Sequence, residues 1–376
     1  MKKKFKKFFP HIIGFIIGAI GGVLLVFILP PIEHGGIFLL QFFAAAVLLV
    51  LGFVLHIFAH ELGHLVAGKM SGYGFVSIRF FNVIFIKKED KITRKKFNMV
   101  GAPGQCLMSP PETVNGKYPF VLYNLGGGLM NIIVSLLLLA LYLFFSSATY
   151  SWMFLLFIIT GFVLGITNLV PLKQGGLPND GHNILTLGKN DVARRIFWNM
   201  MNINALIAKG FRYRDIPVEQ FELPENANQN NIFVASAELM RFNWLMDRHD
   251  FMEAKALAEL LLNTVTKMPD IYKNELHCEL LFFELIGDCR KEEIDRLYSS
   301  DLKKYIKATS SYMSRQRLMY AYTILFLRDE AEAAKTLERF NKNCSSTPFL
   351  GEIACEREMI EFIDGLAVKS NELLVT

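Results

Sequence analysis

Apolar residues are spread very unevenly along the chain, dominating residues 9–172 and giving way afterwards to an ordinary mix of charged and apolar positions. Crossing a bilayer takes about 20 consecutive apolar residues. Four stretches meet that length without a Lys, Arg, Asp or Glu: His11 to Pro31, Ile37 to Ala59, Pro119 to Phe145 and Trp152 to Leu172. Five lysines precede the first, as they would a signal peptide. Its apolar run exceeds the roughly 7–15 residues of such cores, however, and no A-x-A-like site follows, so a retained span is favoured.

Between the second and third spans, Phe75–Ile86 is rich in Phe, Val and Ile and partly alternates. Charged residues Lys87–Lys91 follow, and Ile92–Met99 can return as a second strand. The pattern predicts a β-hairpin at the membrane surface, with a plain amphipathic interfacial segment as the alternative. Beyond Asp191 the periodicity is helical, over Phe233–Arg248, Phe251–Thr266 and Tyr320–Phe340. The similar texture of Met252–Leu260 and Ala331–Arg339 points to a degenerate tetratricopeptide-like or other α-solenoid array.

The predicted architecture is an α-helical multi-pass membrane protein of about four spans, with a small interfacial β-hairpin and a cytoplasmic all-α domain. Residues 1–190 form the membrane core, 191–231 a connecting segment with its linker at Ile216–Asn231, and 232–376 the helical domain. That domain either binds a cytoplasmic protein partner or is simply packed, and the sequence favours neither.

Charge sets the orientation. Lys and Arg crowd the amino terminus and the loop between the second and third spans, and are absent around Glu33–Gly36 and Ser146–Ser151. The positive-inside rule then puts both termini and the middle loop on the cytoplasmic side of the cell membrane. A net charge of +5 is too small to argue for nucleic acid. Cys106, Cys278, Cys289, Cys344 and Cys355 lack metal-site spacing and read as reduced thiols.

Candidate chemistry lies near the end of the second span, at His56-Ile-Phe-Ala-His60-Glu61-Leu62-Gly63-His64. Helical residues four apart share a face, so His60 and His64 can grip one metal ion. Glu61 beside them can take a proton from water at that metal. Zinc suits the task because it lowers the pKa of water and polarises a carbonyl. Ionisable residues at the end of an apolar span are costly without partners or function, the alternative being a polar cluster that caps the span. A catalytic zinc typically takes three protein ligands. The predicted topology ends the second and fourth spans on one side, which can bring Asp180 level with the histidines.

In these elements the chain resembles the site-2 protease family of intramembrane zinc metalloproteases. The family carries HExxH on one span and Asn-x-x-Pro followed by Asp-Gly on a later one. Here those are His60–His64, Asn168-Leu-Val-Pro171 and Asp180-Gly181, with a longer intervening stretch that includes Lys173-Gln-Gly-Gly. Gly127-Gly128-Leu129-Met130-Asn131 looks like the family's Gly-Pro-x-x-Asn element with Gly for Pro. No PDZ-length segment separates the spans. The resemblance implies His60, His64 and Asp180 as zinc ligands, Glu61 as base, and Asn168 steadying the oxyanion. Neighbouring residues have plainer readings: His182 as a partner of a ligand or a water-facing group, His56 as a bond to a neighbouring helix, and Gly126–Gly128 as close packing.

The expected activity is that of an endopeptidase acting on a membrane-anchored peptide or protein near the cytoplasmic face, with Phe75–Ile86 holding the substrate by strand addition. A catalytically inactive membrane scaffold or immunity-type protein is the alternative. A transporter fits poorly, because no inverted repeat is visible.

Overall fold

The computed structural model describes residues 35–89, 91–97, 99, 102–145, 152–224, 227–228 and 230–375. These are mostly helical, with one four-stranded antiparallel sheet. Three helices are long and apolar enough to cross a membrane: α1 (Gly35–Met70, the apolar window starting at Leu40), α2 (Phe120–Phe144) and α3 (Trp152–Leu169). The first expected span, His11–Pro31, lies outside the described residues. Exposed Phe43, Val47, Val50, Leu137 and Phe144 give these helices the apolar surface that a bilayer requires.

The chain divides into two compact units, the first holding α1 up to Gly63 together with residues 127–169. Glycines set its packing. A Cβ on Gly128 would lie 3.1 Å from the Gly165 carbonyl oxygen and one on Gly52 3.4 Å from Thr160 Oγ1, the small-residue contacts that membrane helices use. Helix α3 stops at Leu169, two residues before Pro171, which disfavours helix at its predecessor.

The second unit, residues 64–126 and 170–376, contains the sheet and the remaining helices. Helix α1 runs through the histidine motif to Met70 and ends where Gly72 takes φ +82°. Strands β1 (Gly74–Phe80), β2 (Val83–Lys88), β3 (Lys91–Lys96) and β4 (Gly104–Ser109) follow, in the sheet order β3-β2-β1-β4. The expected single strand over Phe75–Ile86 is thus two strands, folded at Phe81 (φ +53°) and Asn82. The fourth strand, Gly-Gln-Cys-Leu-Met-Ser, carries little β-propensity and is held by pairing with β1. Strand addition to Phe75–Ile86 is ruled out, because β1 is paired by β2 and β4, and β2 by β1 and β3.

One sheet face, with Val76 and Ile86, packs on Ala205 and Ala208 of helix α5 (Asp191–Lys209), which follows α4 (Asp180–Lys189). The expected connecting segment is therefore mostly helix, and Ile216 and Phe221 of the expected linker are buried with Ile203. Trp198 Nε1 donates to the Pro111 carbonyl (2.8 Å) and Lys95 Nζ to that of Thr347 (3.0 Å). These bonds fasten the helices to the sheet.

Helices α6 (Ile232–Asp247), α7 (Phe251–Thr264), α8 (Asp270–Ile286), α9 (Lys291–Leu297), α10 (Ser300–Ala308), α11 (Met313–Ala321), α12 (Glu330–Ser346) and α13 (Leu350–Val375) complete the unit around one large apolar core. The helix expected over Tyr320–Phe340 is broken. A π-helical turn spans Tyr322–Leu327, Arg328 takes φ +55°, and the Asp329 side chain caps a new helix. No cysteine is in a disulfide, and burial pushes the Cys278 thiol up to about 12.

Candidate metal centre

His60 and His64 stand one turn apart in the unbroken interior of α1. His64 is buried, and its Nδ1 lies 2.8 Å from the carbonyl oxygen of Tyr123. A carbonyl can only accept, so Nδ1 carries the proton and Nε2 is the atom left for a cation, the arrangement usual for metal-ligating histidines. That Nε2 lies 3.4 Å from Asp180 Oδ2. One ligand atom from each of His60, His64 and Asp180 falls within 4.8 Å of the others. The donor set, two imidazoles and a carboxylate with a backbone carbonyl behind one ring, fits zinc.

Tyr123, in the first turn of α2, is itself tied down. Its hydroxyl donates to the Cys106 carbonyl of β4 (2.9 Å), and its ring stacks on Tyr73 at 4.8 Å. Gly127, one turn further along α2, lies against His60. A Cβ there would come within 2.4–2.6 Å of three atoms of the imidazole. Only glycine leaves the ring its place.

Asp180 opens α4, and Asn179 is the cap that positions it. The Asn179 side-chain oxygen accepts from the backbone N–H of His182 (2.9 Å) and of Leu172 (3.0 Å), while its Nδ2 donates to the Val170 carbonyl (2.7 Å). The extra residues Lys173–Gly176 fold back on themselves, pairing Lys173 with Pro178 and Gln174 with Leu177 around a turn with Gly175 and Gly176 at positive φ. The longer stretch before Asp180 is taken up by a small hairpin.

Glu61 is buried beside His60. Asn168 is half-buried in the last turn of α3. His182 is not among the three grouped residues. Its Nδ1 lies 3.1 Å from Thr186 Oγ1, and burial, then the charge of Lys173, lower its pKa. His56 bonds to neighbouring helices: Nε2 donates to the Phe157 carbonyl (3.0 Å) and Nδ1 lies 3.4 Å from the Asn131 side chain. Gly161 makes room for it, since a Cβ there would sit 2.1 Å from the imidazole.

Sequence reasoning missed Tyr123 and Asn179. Asn179 carried a signal, an Asn directly before a helix. Tyr123 carried none, because its backbone carbonyl is what His64 uses. No family model matches this chain, and neither the curated proteins nor the solved structures yield a match.

Proposed function

We propose that the chain is a membrane-embedded zinc endopeptidase, similar to the site-2 proteases, that cuts a membrane-anchored peptide or protein near the cytoplasmic face. The observation that carries this reading is the grouping of His60, His64 and Asp180 ligand atoms within 4.8 Å, with Glu61 buried beside the first. His60, His64 and Asp180 would hold the ion. Zinc, when bound, supplies a Lewis acid that polarises the scissile carbonyl and makes water more acidic. Glu61 takes the proton of the attacking water and returns it to the leaving amine. Asn168 offers an amide N–H to the developing oxyanion. Tyr123 and Asn179 orient the ligands, so the histidine proton and the carboxylate need no rearrangement during the reaction. Both termini and the sheet lie on the cytoplasmic side, as the Lys and Arg distribution supports.

The test pairs zinc analysis of the purified chain with a comparison of membrane peptides in cells carrying the wild type or Glu61→Gln. Stoichiometric zinc, and a membrane peptide that accumulates uncut only with Glu61→Gln, are the expected results. Protein without zinc overturns the metal site. Zinc with full biological function in Glu61→Gln favours the scaffold alternative.

A further inference from the structure

The sheet register separates two faces that meet different surroundings. Ile86 and its cross-strand neighbours Ser77 and Thr93 lie on the face packed against α5. The opposite face carries Ile78, Phe80, Cys106 and Met108 on β1 and β4. There Met108 is fully buried against Gly68 in the last turns of the spanning helix α1, where a Cβ would sit 2.3 Å from its Sδ. The same face continues onto β2 and β3 as Phe85, Lys87, Ile92, Arg94 and Lys96, through the pairs Phe85↔Arg94, Lys87↔Ile92 and Val83↔Lys96. Lys87, Arg94 and Lys96 are exposed, and Ile92 is 63% exposed. None of the three cations is in an ion pair among the described residues. The run Lys87–Lys96 holds six basic residues against two acidic ones.

We infer that this face of the β2–β3 hairpin is a binding surface for the headgroups of anionic phospholipids in the leaflet where α1 ends. Exposed cations around an exposed Ile and a half-buried Phe match an anionic interface chemically. The cations pair with phosphates and the apolar side chains dip into the boundary region. The sheet that carries this hairpin is joined to the end of a span by three residues, Ser71 to Tyr73, through its strand β1, so its own chain keeps it close to the headgroups. Lys95, which points to the opposite face, bonds to Thr347 instead. The alternation along β3 thus divides its cations between protein and lipid. The inference rests on the spanning helices and not on the proposed chemistry.

The experiment is hydrogen–deuterium exchange on the full chain in nanodiscs of phosphatidylcholine, alone or mixed with phosphatidylglycerol. Exchange of the β2 and β3 amides slows in the anionic discs, by about five-fold per engaged cation, and raised salt reverses the effect. The triple variant Lys87→Gln, Arg94→Gln, Lys96→Gln exchanges alike in both lipids. A charge-matched control, Lys267→Gln, Lys335→Gln, Lys342→Gln, keeps the wild-type difference. Slow exchange at β1 verifies that the sheet is intact, and if the triple variant loosens it, Lys87→Gln alone gives the same readout with a smaller step. Wild-type exchange indifferent to phosphatidylglycerol overturns the inference, as does a lipid effect that survives the triple substitution.

Discussion

Gly127→Ala is the most direct probe of the metal centre that leaves every ligand in place. The added Cβ would meet His60 Cε1, Nε2 and Nδ1 at 2.4, 2.5 and 2.6 Å, and ordinary contact begins near 3.4 Å. The obstacle is a planar ring in the middle of a helix, not the tip of a flexible chain, so His60 must withdraw by about 1 Å or α2 must shift. Overpacking of this kind costs about 1–3 kcal/mol. Alanine returns up to about 1 kcal/mol through its better helix propensity. The fold therefore survives. The metal site does not, because ligand distances tolerate only about 0.2 Å. Zinc affinity should fall by at least roughly 10–100-fold, the loss typical when even a supporting group is disturbed. Chelator competition on detergent-purified protein reads the affinity, and a thermal melt reads the fold. Gly188→Ala in α4, where a Cβ meets nothing within 4 Å, is the control. Wild-type zinc affinity in a folded Gly127→Ala protein would refute the placement of His60.

Chelation should lower the melting temperature of the wild type, since zinc at about 100 times its Kd adds about 2.7 kcal/mol to the folded state. Asp180→Asn should shrink that difference, and a wild-type melt insensitive to chelator would count against a bound metal. Asn179→Ala removes a helix cap worth about 1 kcal/mol and the side-chain bonds to Val170 and Leu172, so zinc affinity and stability should fall together in the same melts. Arg317 is buried, donates to both oxygens of Glu279 (2.8 Å each), pairs with Glu356 (2.9 Å) and lies 4.0 Å over the Phe282 ring. Arg317→Met leaves two carboxylates uncompensated and should cost about 3–5 kcal/mol by urea unfolding. Glu358 is held down to about 2 by its hydrogen bond to Arg212 and then by Arg214. Its stabilisation is present above the ordinary value of 4.5 and is lost as pH falls towards 2, so Glu358→Gln should flatten the acid side of the stability curve in that window.

The three long apolar helices were legible because their signal is composition over a long window. The expected Pro119–Phe145 became Phe120–Phe144, and Trp152 was placed at the start of α3. Helix ends were less legible. Helix α1 passes its expected end at Ala59 by eleven residues, because a helix continues through polar residues when they sit on a packed face, as buried Glu61 and His64 do. The sheet was half visible. Val, Ile and Phe marked β1 and β2, whereas β4 is fixed by its neighbour and carries almost no local preference. That His60 and His64 share a face was legible from their four-residue spacing. That Asp180 approaches His64 depends on a hairpin and a cap whose contacts are not local in sequence.

The internal position of β1 and β2 changes what the sheet can do. With both edges of each strand paired, their backbone groups cannot hold an incoming peptide, and the outer edges belong to β3 and β4. Edge strand β4 has one carbonyl, that of Cys106, engaged by the Tyr123 hydroxyl, and Tyr123 presents its own carbonyl to His64. Tyr123 thereby connects the sheet to His64, the candidate metal ligand. Tyr123 accepts from the imidazole with its backbone and anchors to the strand with its side chain, so a displacement of β4 moves the atom that fixes the His64 tautomer. The sheet thereby braces His64, whose ring orientation depends on a carbonyl outside its own helix.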